Sequence, residues 1–463
     1  MAQNQATNEN GVQAPARLKR VYWSTYFHIP SGKNYRQENP GTDNNWVEIV
    51  EGSTPLPPPV IPLTVPLGKS LFVSSAGKTI ANGAVPYDLV NHFSSMAEAK
   101  SVAQIQDTIY VYGDQTPNTN LYKDGVTWHF LGSNIISNNQ PFFNDGGVAG
   151  TCIVRGNASF TCPGGAFNFS GVGTVIDIEC YKVSATSGVA FQMVNTFGVV
   201  NVADTTFAQT GAAVYVDQTS NVIFNSKTIS NLKNNGVCVN VRPAFTGKLI
   251  INANLITATP TVANSMVALF TQVGSTGRTI INVSDEIKLL GSAVTSQAVL
   301  VGNGHIIING NVDGGAGNAF GIEQTPELFC HNGDAYNDGS EPLVSITGAD
   351  ACILDLNGTY TSSNADVILQ NNVNSKLTIN GKIVNTKSDG GSAGVRISGN
   401  SETIFDNVKI IMTVFDGSEA TVDAAAAKNI KIIHSLVGNV DLDAVNITNL
   451  IGYSTYNFDA AVN

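Results

Sequence analysis

One pattern recurs along most of this sequence and limits its folding options more than any other feature. Short apolar, β-branched runs close on or near an Asn or Asp: TVIDI at 174, GVVNV at 198, NVIFN at 221, KLIIN at 248, RTIIN at 278, HIIIN at 305, CILDL at 352, KLTIN at 376 and TIFDN at 403. Taking the polar residue as an anchor gives Asp177, Asn201, Asn225, Asn252, Asn282, Asn309, Asp355, Asn380 and Asp406, with steps of 24, 24, 27, 30, 27, 46, 25 and 26 residues. A second apolar run precedes many of the later anchors, as in MVALF at 266, AVLV at 298, LVSI at 343, DVIL at 366 and GVRI at 394. Units of this length with two or three short strands, turned by Gly, Asn and Ser, predict coils of a parallel β-solenoid. Each coil would bury its inward Val, Ile and Leu only because a neighbour stacks about 4.8 Å away. A recurrent Asn at one position has a structural use, since stacked side-chain amides can satisfy one another.

Composition agrees with that expectation. Only 13% of the 463 residues are charged, whereas 50 are Asn and 45 are Gly. Typical domains carry about 25% charge. The shortfall argues against helical bundles, coiled coils and nucleic-acid binders, which display many Lys, Arg and Glu. A slightly positive mean hydropathy argues against disorder. The net charge is −11, and residues 1–66 hold five basic and five acidic side chains, so the deficit lies in the body. Nucleic acid and anionic membrane surfaces are therefore not expected partners. No apolar run reaches the roughly 18 residues of a membrane span, and the polar start MAQNQATNENGVQAPARLKR contains no export signal. Synthesis and retention in a cytoplasm until lysis is the expectation.

Six cysteines stand far apart, and Cys152, Cys180, Cys238 and Cys352 sit inside apolar runs. They are expected to be reduced and structural, with no zinc or redox motif. No nucleotide loop or ligand cluster is present either, so no cofactor or metal is expected.

Nine of the 17 prolines precede residue 67, ending in TPLPPPVIPLTVP at 54–66, which predicts an extended polyproline spacer. Upstream, VYWSTYFHIP at 21–30 concentrates Tyr22, Trp23, Tyr26 and Phe27. Either this is a small folded segment or those rings dock on another protein, since so short a stretch cannot bury them alone. Residues 67–106 are expected to connect this arm to the body and to contain one helix, SMAEAKSVAQIQ at 95–106, opened by the capping box Ser95 and Glu98. Strands DTIYVYGD at 107–114 and VTWHFLGS at 126–133 should begin a β-helix running over 107–463.

A capped helix ending in AEAKSVAQ, then DTIYVYGD, DGVTWHFLGS and Gly-punctuated β coils, resembles the opening of the right-handed parallel β-helix proteins of the pectin lyase-like class. Within that class the chain looks most like phage tailspikes and tail fibres. The resemblance implies an all-β, right-handed parallel β-helix with a short N-terminal capping helix and an extended attachment arm. It also implies a homotrimer, attachment to other virion proteins through residues 1–66, and contact with host surface polysaccharide. The catalytic signatures of polygalacturonases and pectate lyases are missing: Gly304-His305 continues with Ile306, and Arg396-Ile397 with Ser398. A non-enzymatic virion appendage is thus the first expectation, a polysaccharide hydrolase or lyase the second, and a collar or capsid decoration protein the third.

The long step from Asn309 to Asp355 predicts an inserted loop over 313–342, rich in charge. Glu323, His331, Asp334, Tyr336 and Asp338 are its candidate glycan contacts, with Phe320 and Phe329 as further ring faces. Asp334, Asp338 and Glu341 are the candidate catalytic carboxylates, because glycoside hydrolysis needs two acids about 5 to 9 Å apart. A solvated loop is the plain alternative, and DAYNDGSE lacks the spacing of an EF-hand calcium loop. A second candidate place is the lateral face just beyond the anchors, where Glu179 and Asp204 should lie on adjacent coils.

Overall fold

In the computed structural model, described residues comprise 68–74 and 91–412, apart from short gaps at 138–140, 210, 232–236, 260–265, 291–295, 324–325, 348–351, 372–374, 387–393, 398–401, and separate strands before and after. The chain divides at Pro66 into two units. In the first, strands Thr25–His28, Lys33–Gln37 and Trp46–Glu48 pair as an antiparallel sheet. Tyr22, Trp23 and the proline run lie outside the described residues, as do the side chains of Tyr26 and Phe27.

The second unit is a parallel β-solenoid. Among the described residues, the coils from Thr127–Leu131 onward carry three strand segments, as in the coil built from Thr151–Gly156, Ser159–Cys162 and Phe167–Phe169, while Ser70–Ser74 and Thr108–Tyr112 stack before them with no third strand. First and second strands stack into one 22-stranded sheet that folds around a bend, and third strands stack into a 13-stranded sheet. From Thr196–Ala208 onward several first and second strands run continuously through the bend, as in Asn221–Asn231 and Lys248–Ala258. Alternation sets the core: in Asn221–Asn231, Val222 and Phe224 are buried while Asn221 and Ile223 face solvent. Burying each inward aliphatic contributes roughly 1.5 to 3 kcal/mol, which no coil could realise alone. Phenylalanines fill the early coils, where Phe143, Phe167 and Phe191 stack ring on ring at 5.3 and 4.7 Å.

The helix is shorter than its sequence suggests. It spans Met96–Val102, with Ser95 Oγ accepting from Glu98 N, while Glu98 reaches back to Ser94 rather than to Ser95. Asp107 ends it: the buried carboxylate accepts from Gln104 N at 2.7 Å and Lys69 N at 2.6 Å, turning the chain at Ala103 into extended geometry. Val102 and Ile105 consequently point to solvent.

The expected insertion at 313–342 is instead part of the regular winding. Asn318–Ile322 is a third strand, Leu328–Asn332 a first, Ala335–Asn337 a second and Val344–Ile346 the next third strand, all in parallel register with their neighbours. The missing anchor is Asn332, and the following one is Asn357 rather than Asp355. Likewise Glu179, not Asp177, shares the register of Asn201. All six cysteines are free, with Cys330 alone half-buried and the rest buried.

Candidate functional site: a lateral column and its groove

The registers place one outward residue per coil in a single lateral column. It begins with Phe72, Tyr110 and His129, passes through Arg155 and Glu179, and continues as Asn201, Asn225, Asn252, Asn282, Asn309, Asn332, Asn357 and Asn380. Each portion is held differently. The first three rings stack, with centroids 5.5 and 5.3 Å apart. Arg155 turns its guanidinium onto Asp177 of the next coil, with Nη1 2.8 Å from Oδ1 and a second contact from Nη2 to Oδ2. That hydrogen-bonded pairing holds the guanidinium pKa above its usual value.

From Asn201 to Asn357 the column is an amide ladder. Asn225 Nδ2 donates to Asn201 Oδ1 at 2.7 Å, and the same bond repeats through Asn252, Asn282, Asn309, Asn332 and Asn357 at 2.7 to 3.0 Å. Every bond points toward the N-terminal coil. A primary amide has two donor hydrogens and two acceptor lone pairs, so the interior residues Asn225, Asn252, Asn282 and Asn309 each keep one N–H and one lone pair for another partner, whereas Cys330 Sγ contacts Asn332 Oδ1 at 3.6 Å and Asn357 Nδ2 at 3.9 Å.

Beside the ladder, at the bend, lies an open groove of about 800 Å³. Glu179, Asn201, Asn225 and Asn252 form one wall, and Asn157, Ala203, Lys227 and Asn254 form the other. Glu179 is the one acid among the lining residues. Asp204 follows on the next coil, its N–H bonded to Tyr181 O at 2.8 Å. Sequence reasoning came close to this place through Glu179 but passed over Lys227 and Asn254, which carry no pattern of their own.

The candidates at 313–342 do not converge. Because they encircle one coil, they are distributed over all three of its faces. Glu323 follows a third strand and accepts from Gln297 Nε2 at 3.0 Å. Asp334 is exposed at the bend and caps Thr359 N at 2.8 Å. Tyr336, 43% exposed, belongs to the second strand, and Asp338 and Glu341 follow it toward the third. Phe320 and Phe329 are fully buried and offer no ring face to a sugar.

His331 is also a correction. It is 0% exposed, pointing inward against Phe320. Gly310 O can only accept, so Nε2 carries the proton to it at 3.0 Å, and Nδ1 accepts from Tyr360 O–H at 2.6 Å. Burial lowers its pKa to about 4, leaving a neutral core imidazole with both nitrogens satisfied. It cannot touch a surface ligand.

Among the described residues no group of three or more His, Cys, Asp or Glu side chains is placed to hold a metal, and no helix is long and apolar enough to cross a membrane. No protein-family model, curated protein or solved structure matches the chain.

Proposed function

We propose that this chain is a virion appendage of the tailspike or tail-fibre kind, attached through residues 1–66, whose β-helix body binds a host surface glycan along the lateral groove. The observation that carries the reading is the amide-lined groove itself. Successive coils present the same amide about every 4.8 Å, in line with the axis, which suits a linear polymer of repeating units. Each free N–H and lone pair can meet one hydroxyl that accepts and one that donates, as adjacent sugar hydroxyls do. Lys227 and Glu179 add one charge of each sign.

Binding without cleavage is the preferred form of the proposal. Hydrolysis requires two carboxylates, and Glu179 is alone among the groove residues. The test is to incubate the full chain with a panel of bacterial capsules and lipopolysaccharides. Retention of a polysaccharide with no new reducing ends or unsaturated uronates is expected. Release of either product would move the assignment to a depolymerase, and absence of binding to the host's own glycans would remove it. The homotrimer expected from the resemblance belongs to the same proposal.

A further inference from the structure

In the later coils the fold demands a chemically labile dipeptide. The lateral column takes Asn, and the next position takes Gly: Gly310, Gly333, Gly358 and Gly381 have φ of 134°, 157°, 151° and 127°, and a Cβ on each would lie 1.8 to 2.4 Å from a carbonyl oxygen of the preceding coil. Asn-Gly therefore recurs at 309–310, 332–333, 357–358 and 380–381. With no Cβ in the way, the Gly backbone nitrogen can approach Cγ of the preceding Asn and close a five-membered ring. Ring closure requires the Asn side chain to leave its place and fold back onto its own backbone, so every hydrogen bond it holds opposes the reaction. In this the four residues differ. Asn309 donates to Asn282 and accepts from Asn332, and Asn332 donates to Asn309 and accepts from Asn357, at 2.8 to 3.0 Å. Asn357 donates to Asn332 but accepts from no further amide among the described residues. Asn380 is exposed, and its side chain has no hydrogen-bond partner among the described residues. On its C-terminal side the register slips: Ile379 pairs with Phe405 but Gly381 with Val408, so Asp406 and Asn407 together stand against Asn380 and the one-to-one stacking of the ladder is lost.

We propose that Asn380-Gly381 is a site of spontaneous covalent modification, at which Asn380 converts to aspartate and isoaspartate through a cyclic imide while the laddered Asn-Gly pairs persist. The Gly381 nitrogen gives up its proton to solvent and bonds to Asn380 Cγ. The bond from Cγ to Nδ2 then breaks, and Nδ2 leaves as ammonia after taking up a proton. One water opens the imide at either carbonyl, so the sum is one amide and one water giving one acid and one ammonia, with nothing oxidised or reduced. Exposure does not account for the selection, because Asn332 is exposed as Asn380 is and shares its backbone conformation, yet it holds two ladder bonds. The groove amides are spared for a further reason. Asn201, Asn225 and Asn252 precede Val202, Ser226 and Ala253, whose side chains obstruct the attacking nitrogen. Ageing thus adds a carboxylate at the C-terminal end of the column and leaves the groove unchanged, whatever the groove binds.

The experiment holds the full folded chain in mildly alkaline buffer, with a parallel sample in urea, and follows the acid forms at each Asn by acidic digestion and mass-spectrometric peptide mapping. Since one hydrogen bond corresponds to roughly a fivefold factor, conversion at Asn380 in the folded chain should exceed that at Asn357 about fivefold and that at Asn309 and Asn332 about 25-fold. In urea the four rates should draw together. Asn357→Ala, shown by circular dichroism to be folded, removes the bond that Asn332 accepts; it should speed conversion at Asn332 roughly fivefold and leave Asn380 unchanged. No conversion at Asn380 in the folded wild type, or conversion no faster than at Asn332, would overturn the proposal. So would a folded Asn357→Ala in which Asn332 reacts at its wild-type rate.

Discussion

Asn332 donates its side-chain amide to Asn309 at 2.8 Å, 23 residues earlier and one coil below. That bond turns an apparent insertion into an ordinary turn of the solenoid and makes the ladder continuous from Asn201 to Asn357.

Removing a central ladder amide should cost more than removing its exposed neighbour. Asn252 both donates to Asn225 and accepts from Asn282, whereas Asn254 has no place in the ladder. Asn252→Ala is expected to lose about 1 to 2 kcal/mol of unfolding free energy and Asn254→Ala less than about 0.5 kcal/mol, measured as the shift in urea midpoint.

The coils near Asn332 turn on glycine. Gly358 has φ of 151°, and a Cβ there would sit 1.8 Å from Gly333 O of the preceding coil. Gly358→Ala should therefore destabilise by on the order of 2 to 4 kcal/mol, through strain and collision together. Gly132 has φ of 68° but open space around it, so Gly132→Ala should cost only about 1 to 2 kcal/mol. Denaturation of the two variants side by side separates collision from backbone strain.

Much of the fold was legible because the apolar runs are long and periodic, and the groove was nearly so. Two of the displaced anchors, Asn332 and Asn357, carry a local signal that Glu179 lacks: the dipeptide Asn-Gly recurs at 309–310, 332–333, 357–358 and 380–381, and these glycines stack on one another with positive φ. Choosing the Asn before Gly would have given Asn357 in place of Asp355. His331 was not recoverable in that way. Its polar ring fills an inward position, and the partner that makes this tolerable, Tyr360, lies 29 residues away on the next coil. Nothing local distinguishes such a histidine from a surface one. The outward acids around it gave the coil the composition of a loop while its inward residues were those of a core.

His331 makes stability depend on pH. Its pKa falls to about 4 in the folded chain, against about 6.5 in an unfolded one. The folded state prefers the neutral ring, so its contribution is complete above pH 6.5 and declines as pH drops toward 4, flattening below. The loss amounts to on the order of 3 kcal/mol. Unfolding free energies at pH 7, 5.5 and 4 should show this slope, and His331→Leu combined with Tyr360→Phe, which removes both polar partners, should flatten it over that window.

Asp145 is a second buried polar staple. Its carboxylate accepts from Gly147 N, Ser170 N, Gly171 N and Thr174 Oγ1 at 2.7 to 3.0 Å, joining one turn to the next. Asn at this position replaces an acceptor oxygen with a donor aimed at backbone N–H groups. Asp145→Asn is expected to cost about 2 to 4 kcal/mol, visible in thermal unfolding, while Asp114→Asn, at an exposed turn, should change it by under about 1 kcal/mol.

The claim that the groove is the recognition surface is tested most directly by hydrogen exchange of the intact chain with and without a retained surface polysaccharide. Slower exchange should fall on peptides covering Gly156–Asn157, Glu179–Cys180, Asn201–Ala203, Asn225–Lys227 and Asn252–Asn254, which line one groove on successive coils. Protection confined to 313–342, or to the third-strand sheet, with these segments unchanged, would contradict it.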